Sequence, residues 1–172
     1  MTLKIGFSKY TSLIKRLAEI IHSARATAVR QINKTQVLAY YEIGREIVEF
    51  EQKGKTRAAY GEELIIRLSK DMTEKFGRGF SKSNLFLMRQ FYLEFSGKFQ
   101  TVSGKSSIRQ TPSVEFDPQL SWSHYCELLS VEHPLARSFY EKEAVNNNWS
   151  FRELKRQINS SNDLPIHEEI LA

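Results

Sequence analysis

The chain has 172 residues, of which 41% are hydrophobic and 12% aromatic, enough to bury a core of one or two small domains and too apolar for a disordered tail. A net charge of +5 gives a modest pull toward polyanions and by itself excludes little. No run reaches the length of a membrane span, the start MTLKIGFSKY lacks the apolar stretch of an export signal, and the single Cys126 has no partner for an internal disulfide, so a cytoplasmic setting is expected.

In chain order, Leu13, Leu17, Ile20, Ile21, Ala24 and Ala28 recur at three- and four-residue steps and predict a helix over 8–32 with that side inward. Asn33 interrupts it, and Asn33 with Gln36 has the spacing of a capping box. A second helix over 34–52, with Val37, Tyr40, Tyr41, Gly44, Ile47 and Val48 inward, ends at Gly54. A third, over 58–76, carries Leu64, Ile65, Leu68, Met72 and Phe76, and Gly77 stands where a helix stops in a left-handed residue. Ser81 caps a fourth helix over 82–95 that buries Leu85, Met88, Tyr92 and Phe95.

Residues 96–119, rich in Ser, Gly, Thr and Pro, form the expected linker. Three short helices follow, over 121–130, 134–146 with Pro134 in the first turn, and 150–159 with Ser150 and Glu153 as a second capping box. The tail over 161–172 is expected to fray. The fold class is all-α: a multi-helix domain over 8–95 with a helix-turn-helix-like pair, the linker, and a smaller three-helix segment over 120–160.

Chemistry is scarce. The sequence contains no Gly-rich nucleotide loop, no HExxH and no GxSxG. His124, Cys126 and His133 match no metal spacing, and nothing orients Cys126 as a nucleophile, so ordinary partly buried residues is the better reading. No catalytic residue, metal or cofactor is assigned. Two E-x-K triplets, Glu51-Gln52-Lys53 and Glu153-Leu154-Lys155, carry the residue types of a Mg²⁺-dependent nuclease. That chemistry needs a strand, where residues two apart share a face; on a helix they diverge by about 200°. Both triplets fall in helical stretches and read as surface charges.

The stretch LIIRLSKDMTEKFGRGFSKSNLFLMRQFY has the layout of a helix-turn-helix: a helix, a glycine turn, a serine cap and a second helix. With Leu85, Met88, Tyr92 and Phe95 inward, Lys82, Ser83, Phe86, Arg89 and Gln90 lie toward the other side. Arg and Lys suit phosphates or guanine, Gln suits adenine, Ser serves either, and Arg78 sits in the turn. Arg152, Lys155 and Arg156, near Trp149, offer a second basic surface. The bland readings are two packed helices of an all-helical protein and a solvated basic face; Phe86 and Leu93 suggest burial of the outer side against another element.

The blocks YYEIGREIVEFEQKG, RAAYGEELIIRLSKDM, FGRGFSKSNLFLMRQFY, LSWSHYCELLS and ARSFYEKEAVNNNWSFRELKRQI, in that order, resemble the N-terminal helical domain of the YhcG-type family of bacterial proteins. The likeness covers most of residues 10–160. It implies a domain that precedes a C-terminal PD-(D/E)XK nuclease-like domain in longer relatives and is regarded as a DNA-binding module. The family's catalytic carboxylates and lysine have no counterpart in the residues present. The expected function is thus a non-catalytic DNA-binding module that targets or assembles a nuclease, with duplex or branched DNA, a nuclease-domain protein and a second copy as partners. The alternative is a protein-interaction or oligomerisation domain that ignores nucleic acid.

Overall fold

The computed structural model describes residues 7–53, 58–99 and 117–161. Those residues form six helices and no strand: α1 (Phe7–Lys53), α2 (Ala58–Phe76), α3 (Lys82–Phe99), α4 (Trp122–Leu128), α5 (Pro134–Asn146) and α6 (Phe151–Ser161). The all-α expectation holds. The Gly54 stop, residues 100–116 of the expected linker, and the tail over 162–172 lie outside the described residues.

The largest correction is at Asn33. In place of two helices, α1 runs through that residue for 47 residues, and Gln36 donates to the Tyr40 hydroxyl at 3.1 Å instead of closing a capping box. The apolar residues of the first half do not face inward either. From residue 9 to 32 every position is exposed except the half-buried Ala18. The core begins at Val37 and continues through Tyr41, Ile47 and Val48. A helix steps by about 100° per residue, so Leu17, mid-stripe in the first half, and Gly44, mid-face in the second, point about 180° apart. One helix with two opposed apolar faces therefore has the periodicity of two helices in tandem. The first half projects from the body as an arm on the order of 39 Å long.

The core is built around α3, which packs on α1 and α2, while α4 packs on α1 and joins α5 and α6. Leu85, Met88, Phe91 and Phe95 of α3 are all 1% exposed or less. Phe91, which the periodicity did not select, contributes more than Tyr92: its ring lies 5.0 Å from Tyr125, 5.4 Å from Trp122 and 4.7 Å from Phe95. Such edge and tilted aromatic pairs each contribute about 1 kcal/mol beyond the area they bury. Leu128, Ala144, Leu154 and Ile158 close the same core from α4, α5 and α6. Among the described side chains of α2 only Ile65 is buried, and Phe76 is exposed. No helix among the described residues is long and apolar enough to cross a membrane.

Two places depend on special backbone. Gly44 brings α1 against α3 so closely that an added methyl would overlap the Met88 carbonyl oxygen and lie 2.8 Å from its carbon. Asn148, at φ 52°, ends the α5–α6 corner in the left-handed region, and Trp149 then donates to the Ala144 carbonyl at 2.9 Å. Asn tolerates that conformation better than most residues with a β-carbon.

Arg137 is the one charged side chain among the buried described residues. Its Nε and one terminal nitrogen donate to the Val131 carbonyl at 3.1 and 3.0 Å, and the other terminal nitrogen meets Glu94 Oε2 at 2.6 Å. The guanidinium fork thus ties α5, the α4–α5 loop and the outer edge of α3 together, satisfying a loop carbonyl that no helix ladder reaches.

Candidate nucleic-acid interface

The candidate surface begins at the turn between α2 and α3. Gly77 at φ 80° and Gly79 at φ 116° flank Arg78, and the Gly77 amide returns to the Thr73 carbonyl at 2.9 Å. Both glycines occupy conformations that side chains with a β-carbon rarely adopt. Ser81 caps α3 as expected: its hydroxyl accepts from the Asn84 amide at 3.2 Å. The Asn84 side chain holds the turn further, donating to the Gly79 carbonyl at 2.5 Å and accepting from the Trp122 indole at 2.8 Å. A residue deep in the aromatic core therefore anchors the turn that carries Arg78.

The predicted contacts divide into two groups. Arg78 is exposed and makes no ion pair among the described residues. Lys82 and Ser83 are exposed in the first turn of α3, and Lys82 meets Glu62 at 2.7 Å across the α2 edge. That surface pair holds the Glu62 carboxyl below its usual range, chiefly through the hydrogen bond from Lys82, yet exposed pairs of this kind are worth little and break readily. Arg89 and Gln90 stand elsewhere. Arg89 reaches back to α1 and binds both oxygens of Glu51, at 2.8 and 3.1 Å, and Gln90 donates to the Leu129 carbonyl at 3.4 Å. Both are half-buried, so among the described side chains of α3 the outward face consists of Lys82, Ser83, Phe86 and Leu93 with the Glu94 edge.

On α6, Arg152 is exposed without an ion pair among the described residues. Arg156 pairs with Glu153 at 2.5 Å, and Lys155 approaches Glu127 at 3.6 Å. Ser150 caps this helix by accepting from the Glu153 amide at 3.3 Å, but the Glu153 carboxylate turns to Arg156 and Gln157 instead of reaching back.

The E-x-K triplets sit on α1 and α6, as expected. Glu51 is occupied by Arg89, and Leu154 between Glu153 and Lys155 is fully buried, so the flanking charges splay to either side. Among the described residues no group of three or more His, Cys, Asp or Glu could hold a metal ion. Burial pushes the Cys126 thiol up to about 11, the opposite of what a nucleophile requires.

His124 is structural. Its Nε2 lies 3.1 Å from the Trp149 carbonyl, which can only accept, so Nε2 carries the proton and Nδ1 accepts from the Ser121 hydroxyl at 2.7 Å. Burial lowers its pKa from the ordinary 6.5, partly opposed by the Trp149 bond. The folded chain thus binds fewer protons than the unfolded one below neutrality. Stability from this group is complete above about pH 6.5 and is lost as pH falls toward the lower folded value. Chemical denaturation at pH 7.5 and 5.5 is expected to give a lower midpoint at the acid pH, and His124→Gln to flatten that dependence.

Against known proteins, a family model described as the DUF1016 N-terminal domain matches residues 16–162. The chain belongs to this family. The DUF1016 N-terminal domain thus covers α2 to α6 and all of α1 beyond its first nine residues. The chain is also 46% identical, over 166 residues, to the protein of Escherichia coli (strain K12) named "Putative nuclease YhcG", an alignment that takes in 87% of this chain and 44% of the relative. The chain therefore spans less than half the length of that relative. The resemblance carried by blocks such as FGRGFSKSNLFLMRQFY holds across the whole domain. No solved structure matches.

Two features of the site escaped sequence reasoning. The Arg89–Glu51 pair joins residues 38 apart and the Asn84–Trp122 bond another 38, and no local pattern encodes either. A signal did exist for the first: Arg89 falls one residue from Met88, at the boundary of the buried face, where long cations turn along the surface to a partner.

Proposed function

We propose that this DUF1016 N-terminal domain is a non-catalytic nucleic-acid-binding module of a nuclease-associated protein, gripping the backbone of duplex or branched DNA with the α2–α3 turn and the first turn of α3. The observation that carries the reading is Arg78, held outward between two left-handed glycines on a turn anchored through Asn84 to Trp122. Lys75 in the last turn of α2 and Lys82 and Ser83 in the first turn of α3 flank the sequence turn, and the first turn of α3 contains no acidic residue of its own. A helix-turn-helix contacts DNA mainly through the start of its second helix, which is the part of α3 left open. Arg89 and Gln90 then act as scaffold, and Arg152, Lys155 and Arg156 form a second, weaker backbone contact.

Glu51, Glu153 and Lys155 of the E-x-K triplets are held by Arg89, by Arg156 and Gln157, and by Glu127 respectively, so the chemistry of a nuclease would be supplied by residues other than these. The targeting role pairs the module with a nuclease domain, in line with the name of the E. coli relative.

The test is fluorescence anisotropy with duplex, branched and single-stranded DNA, comparing the native chain with Arg78→Glu/Lys82→Glu. Binding in the micromolar range or tighter is expected, and the double reversal should weaken it by at least 100-fold with the helical signal and unfolding midpoint unchanged. Equal affinity for both chains would rule out this face. A second reading, a protein-docking face, is supported by exposed Phe86 and Leu93 on α3, and absence of DNA binding even at low salt would favour it.

A further inference from the structure

The projecting arm of α1 carries eight of the exposed large hydrophobic residues found among the described positions, more than the other described residues together. We propose that two copies of this chain pair through this arm as a parallel, in-register coiled coil. The inference stands apart from the DNA reading and uses none of its residues.

The stripe has the form of a heptad seam. Tyr10, Leu17 and Ala24 recur every seven residues, with Leu13 and Ile20 between them, a mean spacing of 3.5 residues. Ile14 and Ile21 widen the seam on one flank. These six large side chains are between 43% and 65% exposed, a large surface for a helix to leave uncovered. The opposite orientation of the two α1 faces makes pairing possible: the globular bodies lie on the outer sides of the two helices, about 180° from the seam, and do not collide.

The area supports a second copy as the occupant. Each large side chain leaves on the order of 90 Å² uncovered, so two stripes, with the alanines and lysine stems beside them, would bury about 1,200 Å² in total, the lower end of specific interfaces. A two-fold axis along the seam makes each layer meet its own copy, so a single stripe is its own complement.

Charge selects the orientation. Basic Lys9, Arg16 and Arg30 all fall on one flank at seven-residue multiples. In a parallel pair that flank faces the partner's Ile14 and Ile21 side, where the aliphatic stems cover the isoleucines and the charges reach solvent. An antiparallel pair would set the basic flanks against each other.

Sedimentation velocity from about 1 to 200 μM, at low and at high salt, tests the pairing. The expected result is a monomer–dimer equilibrium that tightens with salt, because the arms share a positive charge, whereas an acidic foreign helix on this face would be released by salt. Leu17→Glu/Ile20→Glu should weaken the dimer by at least 100-fold while leaving the thermal midpoint of the body unchanged, since neither residue belongs to the core. Ala24→Cys should cross-link to itself under oxidation, with the partly buried Cys126 unreactive. A monomer at every concentration, or a dimer indifferent to the double substitution, overturns the proposal; a dimer in which Ala24→Cys does not cross-link overturns the parallel register.

Discussion

Replacing Gly44 with alanine is expected to cost the protein about 3 kcal/mol or more, and Gly44→Val to prevent folding at 37 °C. Ordinarily the change would help, because alanine is favoured over glycine inside a helix by about 1 kcal/mol. Here the new methyl would occupy the same space as the Met88 carbonyl and crowd Tyr92 Cβ at 3.1 Å. The obstacle is backbone, so no rotamer change relieves it. The α1 and α3 axes must separate, and separation opens gaps around Val37, Tyr41, Ile47 and Met88, where a radial shift of about 0.5–1 Å already forfeits roughly a quarter to a half of each contact's dispersion energy. Gly61→Ala is the matching control. A methyl there lies 3.0 Å from the end of the Glu51 side chain, which can move, so the cost should stay within about 1 kcal/mol. Urea denaturation of both variants measures the contrast; a Gly44→Ala protein as stable as the parent would show that the two helices do not meet as described.

Arg137→Ala is the second large effect. Arg137 is 7% exposed, and its guanidinium supplies three hydrogen bonds, two to Val131 and one to Glu94. Truncation strands the Val131 carbonyl and leaves Glu94 without its cation. Glu94 is 37% exposed and can turn to water, which limits the loss on that side. The carbonyl cannot, so about 2–4 kcal/mol is expected, a fall of roughly 4–16 °C in Tm for a chain of this size. Arg137→Lys should recover less than half, because a single ammonium cannot span Val131 and Glu94 as the planar fork does. Glu94→Gln should cost less than either, and the Arg137→Ala/Glu94→Gln pair less than the sum of the two. Full rescue by lysine would mean that charge alone, and not the fork, holds the α4–α5 corner.

How far the fold was legible depended on whether the signal was local. The limits of α2 and α5 were readable to the residue because Gly77, Pro134 and the caps act within one turn. Ser81 and Ser150 likewise cap as their spacing implies. The extent of α1 was not readable, since a half-turn change in which face is apolar, near Asn33, mimics a break. Periodicity records where apolar residues point, not what covers them, and Leu17 and Ile20 carry the same pattern exposed as they would buried. Phe76 carries the same pattern and is exposed, whereas Tyr92 does pack on the core, though only partly buried.

The candidate site was half legible. Arg78 and Lys82 were identified from the glycine turn and the cap and are exposed as that reading requires. Arg89 and Gln90 were chosen because the expected core of α3 left them outside. Adding Phe91 to that core widens its buried face and draws both residues to its flanks, where Glu51 and the Leu129 carbonyl hold them. Arg89→Glu would place two carboxylates together at Glu51, so loss of binding in that variant would report a disturbed α1–α3 contact before it reported a lost DNA contact.

The most direct test of the account is the salt dependence of duplex binding, read as log Kd against log salt for the native chain and for Arg78→Glu. Each phosphate neutralised contributes a slope of about 0.9, so a grip by Arg78, Lys82 and one or two cations of α6 predicts a slope of roughly 3 to 4, falling by about 1 when Arg78 is reversed. A slope near zero, or one that Arg78→Glu leaves untouched, would contradict the claim that this turn is built to hold a nucleic-acid backbone.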